Sequence, residues 1–412
     1  MNTRTTWTLL LVLLLLAPAE SLHAQWRGTV RDSAGVQVIS NTRDGLWASG
    51  AAWTVVQELR IGTIDEDPDY MFGQIGFIAV GSDGRIFVLD AQAQHVKVYS
   101  PDGEYLQTIG GPGGGPGELG LGAVFLTMVA GDTLFVPDLA NRRVNRYGPD
   151  GSEVGSFPLA IEQGIPMQWR STGTGLVAEQ VRPLTLPDNT APDSMDVIVL
   201  LGTDGAVTDT LMRFPSGKTF DFSGGRPEFH IYSPEPVWTL TDDGRVLFGV
   251  NDEYRIGVYG PGAKLERIVS LPFERGPVGD RDKKAVIDFF EKAWRDAGVP
   301  PNAISRLRSG IHFSDYFPAF ASIQVGPGGS LWIQHIQPAS ELSEEELESY
   351  NLLEDAGAPE WDVFDREGRY LGIVRMPSRF APRLFVEDKI YGVWRDEWDV
   401  QYMVRLRIEG AN

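Results

Sequence analysis

The chain has 412 residues and no cysteine, and its 56 acidic against 36 basic side chains leave a formal net charge of −20. Such a polyanion repels nucleic-acid phosphates and anionic lipid, and no basic stripe offsets it. The missing thiols exclude disulfides, thiolate metal sites and cysteine nucleophiles, so the fold must rest on its core alone.

Residues 1–24 read as a signal peptide. Arg4 gives a basic start, residues 7–17 are apolar, and small side chains follow at Ala19 and Ala24. The apolar run falls short of the roughly 20 residues that span a bilayer. Cleavage after Ala24 is preferred, with cleavage after Ala19 as the alternative. Arg4 and Glu20 leave together, so the net charge is kept. No later segment is long and apolar enough to span a bilayer, and a periplasmic or extracellular location is expected. Residues 25–52 are then a lead-in, and residues 53–412 a single domain.

Asp65-Glu66-Asp67-Pro68-Asp69 precedes the first repeat. Its oxygens suit Ca²⁺, but it lacks the glycine-bearing spacing of a dedicated calcium loop, and a solvated acidic loop is the plainer reading.

A strand-turn-strand phrase then recurs along the chain. Asp83-Gly84-Arg85-Ile86-Phe87-Val88-Leu89-Asp90 leads to Val96-Lys97-Val98-Tyr99-Ser100-Pro101-Asp102-Gly103, and the pattern returns at 131–138 and 144–151. Short β-rich runs closed by Asp-Gly turns are hairpins, and hairpins at this period imply propeller blades. Six first hairpins have second strands ending at Asp90, Asp138, Gln180, Val250, His335 and Trp394, and five second hairpins follow. The sixth blade therefore lacks a strand. Residues 53–62, which match Tyr105-Leu106-Gln107-Thr108-Ile109-Gly110, supply it and close the ring. The predicted fold is all-β, a six-bladed β-propeller with a helical insertion on one face.

Asp138-Leu139-Ala140-Asn141-Arg142-Arg143-Val144, preceded by Gly111-Pro112-Gly113-Gly114-Gly115-Pro116-Gly117-Glu118-Leu119, resembles NHL-type repeats. The whole chain resembles exported bacterial six-bladed NHL/TolB-like propellers, specifically over residues 53–157 and loosely afterwards. The resemblance implies the fold but no single activity, because such proteins include binding modules, lactonase-like hydrolases and an amidating lyase.

Every long insertion (111–122, 183–195, 216–236, 274–318 and 337–359) falls between strands two and three of a blade or between blades. These two connection types emerge on one face of the ring, which is where binding is expected. Plugging the channel is the structural alternative. Within 274–318, Ala285, Val286, Phe289, Phe290, Ala293, Trp294 and Ala297 recur at helical spacing until Pro300-Pro301. Ser343-Glu344-Glu345-Glu346 opens like a capped helix.

Aligning the inner strands gives one mixed series (Ala79, Thr127, Trp169, Thr239, Gln324 and Arg383) expected to line a wet channel. Its successors (Val80, Met128, Arg170, Leu240, Val325 and Leu384) are expected between blades. Trp169, Gln324 and Arg383 are thus candidate ligand-binding residues, joined by Arg226 and Tyr232 from the aromatic loop 216–236, which also reads as a staple.

His95 aligns with Arg143 and Arg255 on the blade surface. His230, His312 and His335 belong to the elaborated face, and three imidazoles plus water would make a catalytic zinc site. No two share a motif spacing, and separate structural histidines are the plainer reading. The glycine run at 110–117 lacks the Lys-Ser/Thr ending and helix of a phosphate cradle. No Gly-x-Ser-x-Gly, Ser-x-x-Lys or His-Glu-x-x-His occurs. No cofactor is expected, with Zn²⁺ or Ca²⁺ as the open alternatives. The favoured reading is a monomeric binding module for a peptide, a glycan fragment or another exported protein. The alternative is a metal-dependent hydrolase or lyase of the lactonase/amidating-lyase type.

Overall fold

The computed structural model describes residues 26–47, 52–64, 67–123, 125–129, 131–159, 164–172, 175–183, 195–221 and 226–410. The signal-peptide reading at 1–24 lies outside them, as do Asp65, Glu66 and Phe222.

The Asp-Gly turns form the expected hairpins, and six blades of four antiparallel strands result, five of them as separate four-stranded sheets and one within a six-stranded sheet. Blade one comprises Ile75–Val80, Ile86–Asp90, His95–Tyr99 and Tyr105–Gly110. Blade two comprises Thr127–Val129, Thr133–Asp138, Arg143–Tyr147 and Glu153–Pro158. Blade three comprises Ile165–Ser171, Val177–Arg182, Met195–Leu201 and Val207–Pro215. Blade four is built from Pro236–Leu240, Val246–Val250, Arg255–Gly260 and Lys264–Ser270. Blade five contains Ser322–Val325, Leu331–Ile336, Gly357–Phe364 and Tyr370–Arg375. Blade six takes Phe380–Val386, Lys389–Arg395 and Gln401–Glu409, and Thr54–Ile61 pairs antiparallel with the last of these. The N-terminal strand thus closes the ring.

Two glycines show how the turns serve the assembly. Gly84 holds φ +81° in the first hairpin of blade one, a conformation that glycine adopts without steric cost. A Cβ on Gly205 would stand 2.2 Å from the Phe157 ring, so the second turn of blade three can lie flat on the outer strand of blade two.

Alternating side chains pack blade against blade. Phe87, Leu89 and Val96 meet Leu134, Val136 and Tyr147 between blades one and two. Trp332 and Trp361 join Ile390, Val404 and Leu406 between blades five and six.

The lead-in is more than a tether. Thr29–Ser33 and Val36–Ser40 form a hairpin whose second strand adds in parallel to Lys264–Ser270, widening blade four to six strands. Asn41 secures it, donating to the carbonyls of Ser270 (3.1 Å) and Gly368 (3.0 Å) and accepting from Trp26 Nε1 and the Tyr370 amide, both at 2.8 Å.

The 271–321 connection carries helices α1 (Asp280–Asp296) and α2 (Pro301–Arg308). A small sheet of Phe220–Asp221, Glu228–Ile231 and Ile311–Phe313 lies beside them. Val286 and Phe290 of α1 pack with Phe229, Ile231, Tyr232 and Phe317 into a separate core, so the insertions form a cap of their own. The 337–356 connection adds α3 (Glu344–Glu348) and α4 (Leu352–Asp355). The Ser343 side chain accepts from the Glu346 amide at 3.2 Å while Glu346 reaches back to the Ser343 amide at 2.8 Å, a complete capping box.

Candidate functional site

Many acidic residues of the long-loop face are anchors. Asp90, fully buried at the end of its strand, accepts from the amides of Gly73 (2.8 Å), Gln74 (3.2 Å), Gln92 (3.1 Å) and Ala93 (2.9 Å). Asp138 does the same for Gly120 (2.7 Å) and Asn141 (3.1 Å). A buried carboxylate that accepts several amides satisfies loop backbone that the sheet cannot, so it fixes where each loop leaves the ring.

A cleft opens on this face between the 337–356 insertion and the start of blade six. It encloses about 610 Å³, mouth included, with Glu346, Glu354, Asp355, Arg379, Phe380 and Arg395 among its walls. Arg395 bonds Asp355 and, at 2.9 Å, Asp399. Burial opposes its charge, but these two carboxylates outweigh burial and raise its pKa. Arg379 donates to the Asp396 carbonyl at 2.8 Å and to Ser349 Oγ. Arg383 pairs with Glu354. The cleft therefore sets guanidinium and carboxylate groups side by side, oriented by one another and next to the apolar Phe380 ring. Such walls match a ligand that carries both charge signs.

The candidate ligand residues are dispersed. Arg383 reaches the cleft only through its ion pair with Glu354. Arg226 is exposed, and Gln324 is partly buried opposite Trp332 in blade five. Tyr232 belongs to the core of the cap, where burial pushes its hydroxyl up to about 12.

The channel placement of Trp169 is corrected. It is 4% exposed and packs with Phe135, Val144 and Val177 between blades two and three. The reason is register. Ser171↔Val177 flanks the first turn of blade three as Val80↔Ile86 and Leu240↔Val246 flank theirs, so Arg170, not Trp169, matches Ala79 and Thr239. A one-residue slip exchanges the two faces of a strand. The lining expected of that series fails more widely, because Ala79, Thr127 and Thr239 are all buried. Arg170 itself bonds the Trp169 carbonyl at 3.2 Å, and burial lowers its pKa to about 10.

The three histidines do not converge. His230 and His312 stack with ring centroids 5.2 Å apart. His335 Nε2 instead lies 2.9 Å from Asp362, which also accepts from the hydroxyls of Tyr254 (2.8 Å) and Tyr370 (2.7 Å) and from Arg43 (3.1 Å). Among the described residues, no group of three or more His, Asp or Glu side chains is arranged to hold a metal ion. Beside the acidic loop, the Lys97 ammonium donates to the carbonyls of Pro68 and Met71, taking oxygens that face the loop's inner side.

Sequence reasoning missed the cleft residues Arg379 and Arg395 and the Asp362 network. The aspartates ending the second strands of blades one and two were legible as a series. The partners of Asp362 lie up to 319 residues away in sequence, so local pattern offers no signal for them.

A family model described as a 6-bladed beta-propeller matches residues 65–156. No curated protein matches the chain. Among solved structures, a Bacteroides fragilis protein named as exported is similar at 14% identity with a TM-score of 0.52, over 90% of this chain and 99% of that one. Virginiamycin B lyase from Staphylococcus aureus is similar at 13% identity and a TM-score of 0.42, over 86% of this chain and 99% of that one. A gluconolactonase from Xanthomonas campestris is similar at 11% identity and a TM-score of 0.40, over 85% and 98% respectively. At these identities the likeness is one of fold. Among the described residues no helix is long and apolar enough to cross a membrane.

Proposed function

We propose that this protein is an exported, monomeric binding module that takes a charged peptide segment, free or part of another exported protein, into the cleft beside blade six. The observation that carries the reading is the juxtaposition there of Arg379 and Arg395 with Glu346, Glu354 and Asp355 around Phe380. A peptide supplies both charge signs and apolar side chains, so it can add charge-assisted hydrogen bonds to the paired guanidinium and carboxylate groups, which a neutral glycan does not. Export is supported by the apolar residues 7–17 behind Arg4 and the small side chains that follow at Ala19 and Ala24.

Peptide and glycan arrays probed with the full chain, followed by calorimetry on the hits, test the reading. Ser378 is exposed at the cleft, so Ser378→Trp fills it without entering the core. The expected result is a peptide ligand whose affinity falls at least tenfold in this variant. Glycan-only binding, or peptide binding that Ser378→Trp leaves intact, would overturn it.

A further inference from the structure

The cap sheet carries a second, independent arrangement. Glu228–Ile231 runs parallel to Ile311–Phe313, and His230 stands directly opposite His312 in the register. Phe229 and Ile231 point into the cap core, so Glu228 and His230, which alternate with them, share the outer face. His312 lies on that face too, between Ile311 and Phe313, both packed against the same core. The two imidazoles stack at 5.2 Å with 25° between their planes. His230 Nε2 lies 3.4 Å from Glu228 Oε2, and the His230 and Glu228 side chains are 31% and 51% exposed.

We propose that His230 and His312 form a two-imidazole site for a late first-row divalent cation (Cu²⁺, Ni²⁺ or Zn²⁺) on the outer face of the cap, with Glu228 as its orienting carboxylate. Each part follows from the geometry. Glu228 favours the proton on Nε2 of His230 and so leaves the Nδ1 lone pair free to bind metal. Opposed residues on paired strands bring two ring nitrogens toward one ion by side-chain rotation alone. The packed layer of Phe229, Ile231, Ile311 and Phe313 beneath keeps the backbone fixed. Water completes the coordination. Imidazole donors select these cations over Ca²⁺ and Mg²⁺, and Cu²⁺ is favoured among them. The site is separate from the peptide cleft and stands or falls without it.

The test is calorimetric titration of the untagged full chain with Cu²⁺, Ni²⁺ and Zn²⁺, alongside electron paramagnetic resonance of the Cu²⁺ form. One Cu²⁺ per chain with nitrogen hyperfine structure is expected. Affinity should fall at least tenfold in His230→Ala and in His312→Ala, and stay unchanged in His95→Ala. Glu228→Gln should weaken binding about tenfold through the carboxylate–imidazole contact. Wild-type protein that binds none of the three cations would overturn the proposal. So would a His230→Ala/His312→Ala double variant, folded by circular dichroism, that binds as wild type does. An unaltered affinity in Glu228→Gln would remove the orienting role.

Discussion

At the scale of single residues, the interior of this propeller is costly for the charges it contains. Most buried carboxylates are compensated. Asp362 has its charged form favoured by His335 and Arg43 and by the Tyr370 hydroxyl, against the opposing effect of burial, and its pKa is lowered. The half-buried Glu179 behaves differently. It faces Trp169 across blade three, and burial pushes its carboxyl up to about 7, with the indole N–H opposing the rise only in part. A raised carboxyl holds its proton in the folded chain after the unfolded chain has released it. Stability contributed by the neutral form is therefore present below the unfolded pKa of 4.5 and is lost as pH rises through about 7. A shift of this size corresponds to a loss of about 3 kcal/mol once both states are ionised. Glu179→Gln removes the titration while keeping a carbonyl opposite Trp169. Urea midpoints of wild type and variant should nearly coincide at pH 5 and diverge by pH 8, with the variant the more stable. A difference independent of pH would show that Glu179 is ionised throughout.

Elements that announce themselves locally are those whose pattern and turn chemistry agree. The Asp-Gly hairpins, helix α1 and the Ser343 capping box were all legible, because each is specified within a few residues. The lead-in hairpin was not. Whether Val36–Ser40 adds to the edge of Lys264–Ser270 depends on an edge some 230 residues away and on a single asparagine. Blade three misled for a related reason. Its second strand runs on to Arg182 and its first strand bulges between Pro166 and Gln168, so alignment on Gln180 missed the register by one. The docking of the lead-in is directly testable at Asn41. Asn41→Ala strips donors from the Ser270 and Gly368 carbonyls and the acceptor from the Tyr370 amide, in a site that is buried. The expected cost is about 2–3 kcal/mol. Hydrogen exchange should accelerate across 29–40 and 264–270 while blade one is unaffected. Acceleration spread evenly over the molecule would mean that the hairpin is integral to the ring instead of appended to it.

The whole molecule depends on a closure between its two ends, and that dependence was readable because the sixth blade lacked a strand that residues 53–62 could supply. Thr54–Ile61 pairs with Gln401–Glu409 across nearly the full length of the chain. Ile61 is buried where blade six meets blade one, among Ile75, Ile78, Tyr391 and Met403. Its side chain therefore contributes both to the strand that closes the ring and to the seam beside it. A blade held on only one side loses half its packing and exposes a strand edge, so opening at this seam should spread to both neighbours. Ile61→Asp places a carboxylate in that core without a partner and should cost about 4 kcal/mol or more. In urea, the variant should unfold at a lower midpoint, and hydrogen exchange should rise together in Ile75–Val80, Lys389–Arg395 and Gln401–Glu409. Blades three and four, on the far side of the ring, should retain their protection at low urea. If exchange rose only within Thr54–Ile61, that strand would be a dispensable cover and the ring would hold without it.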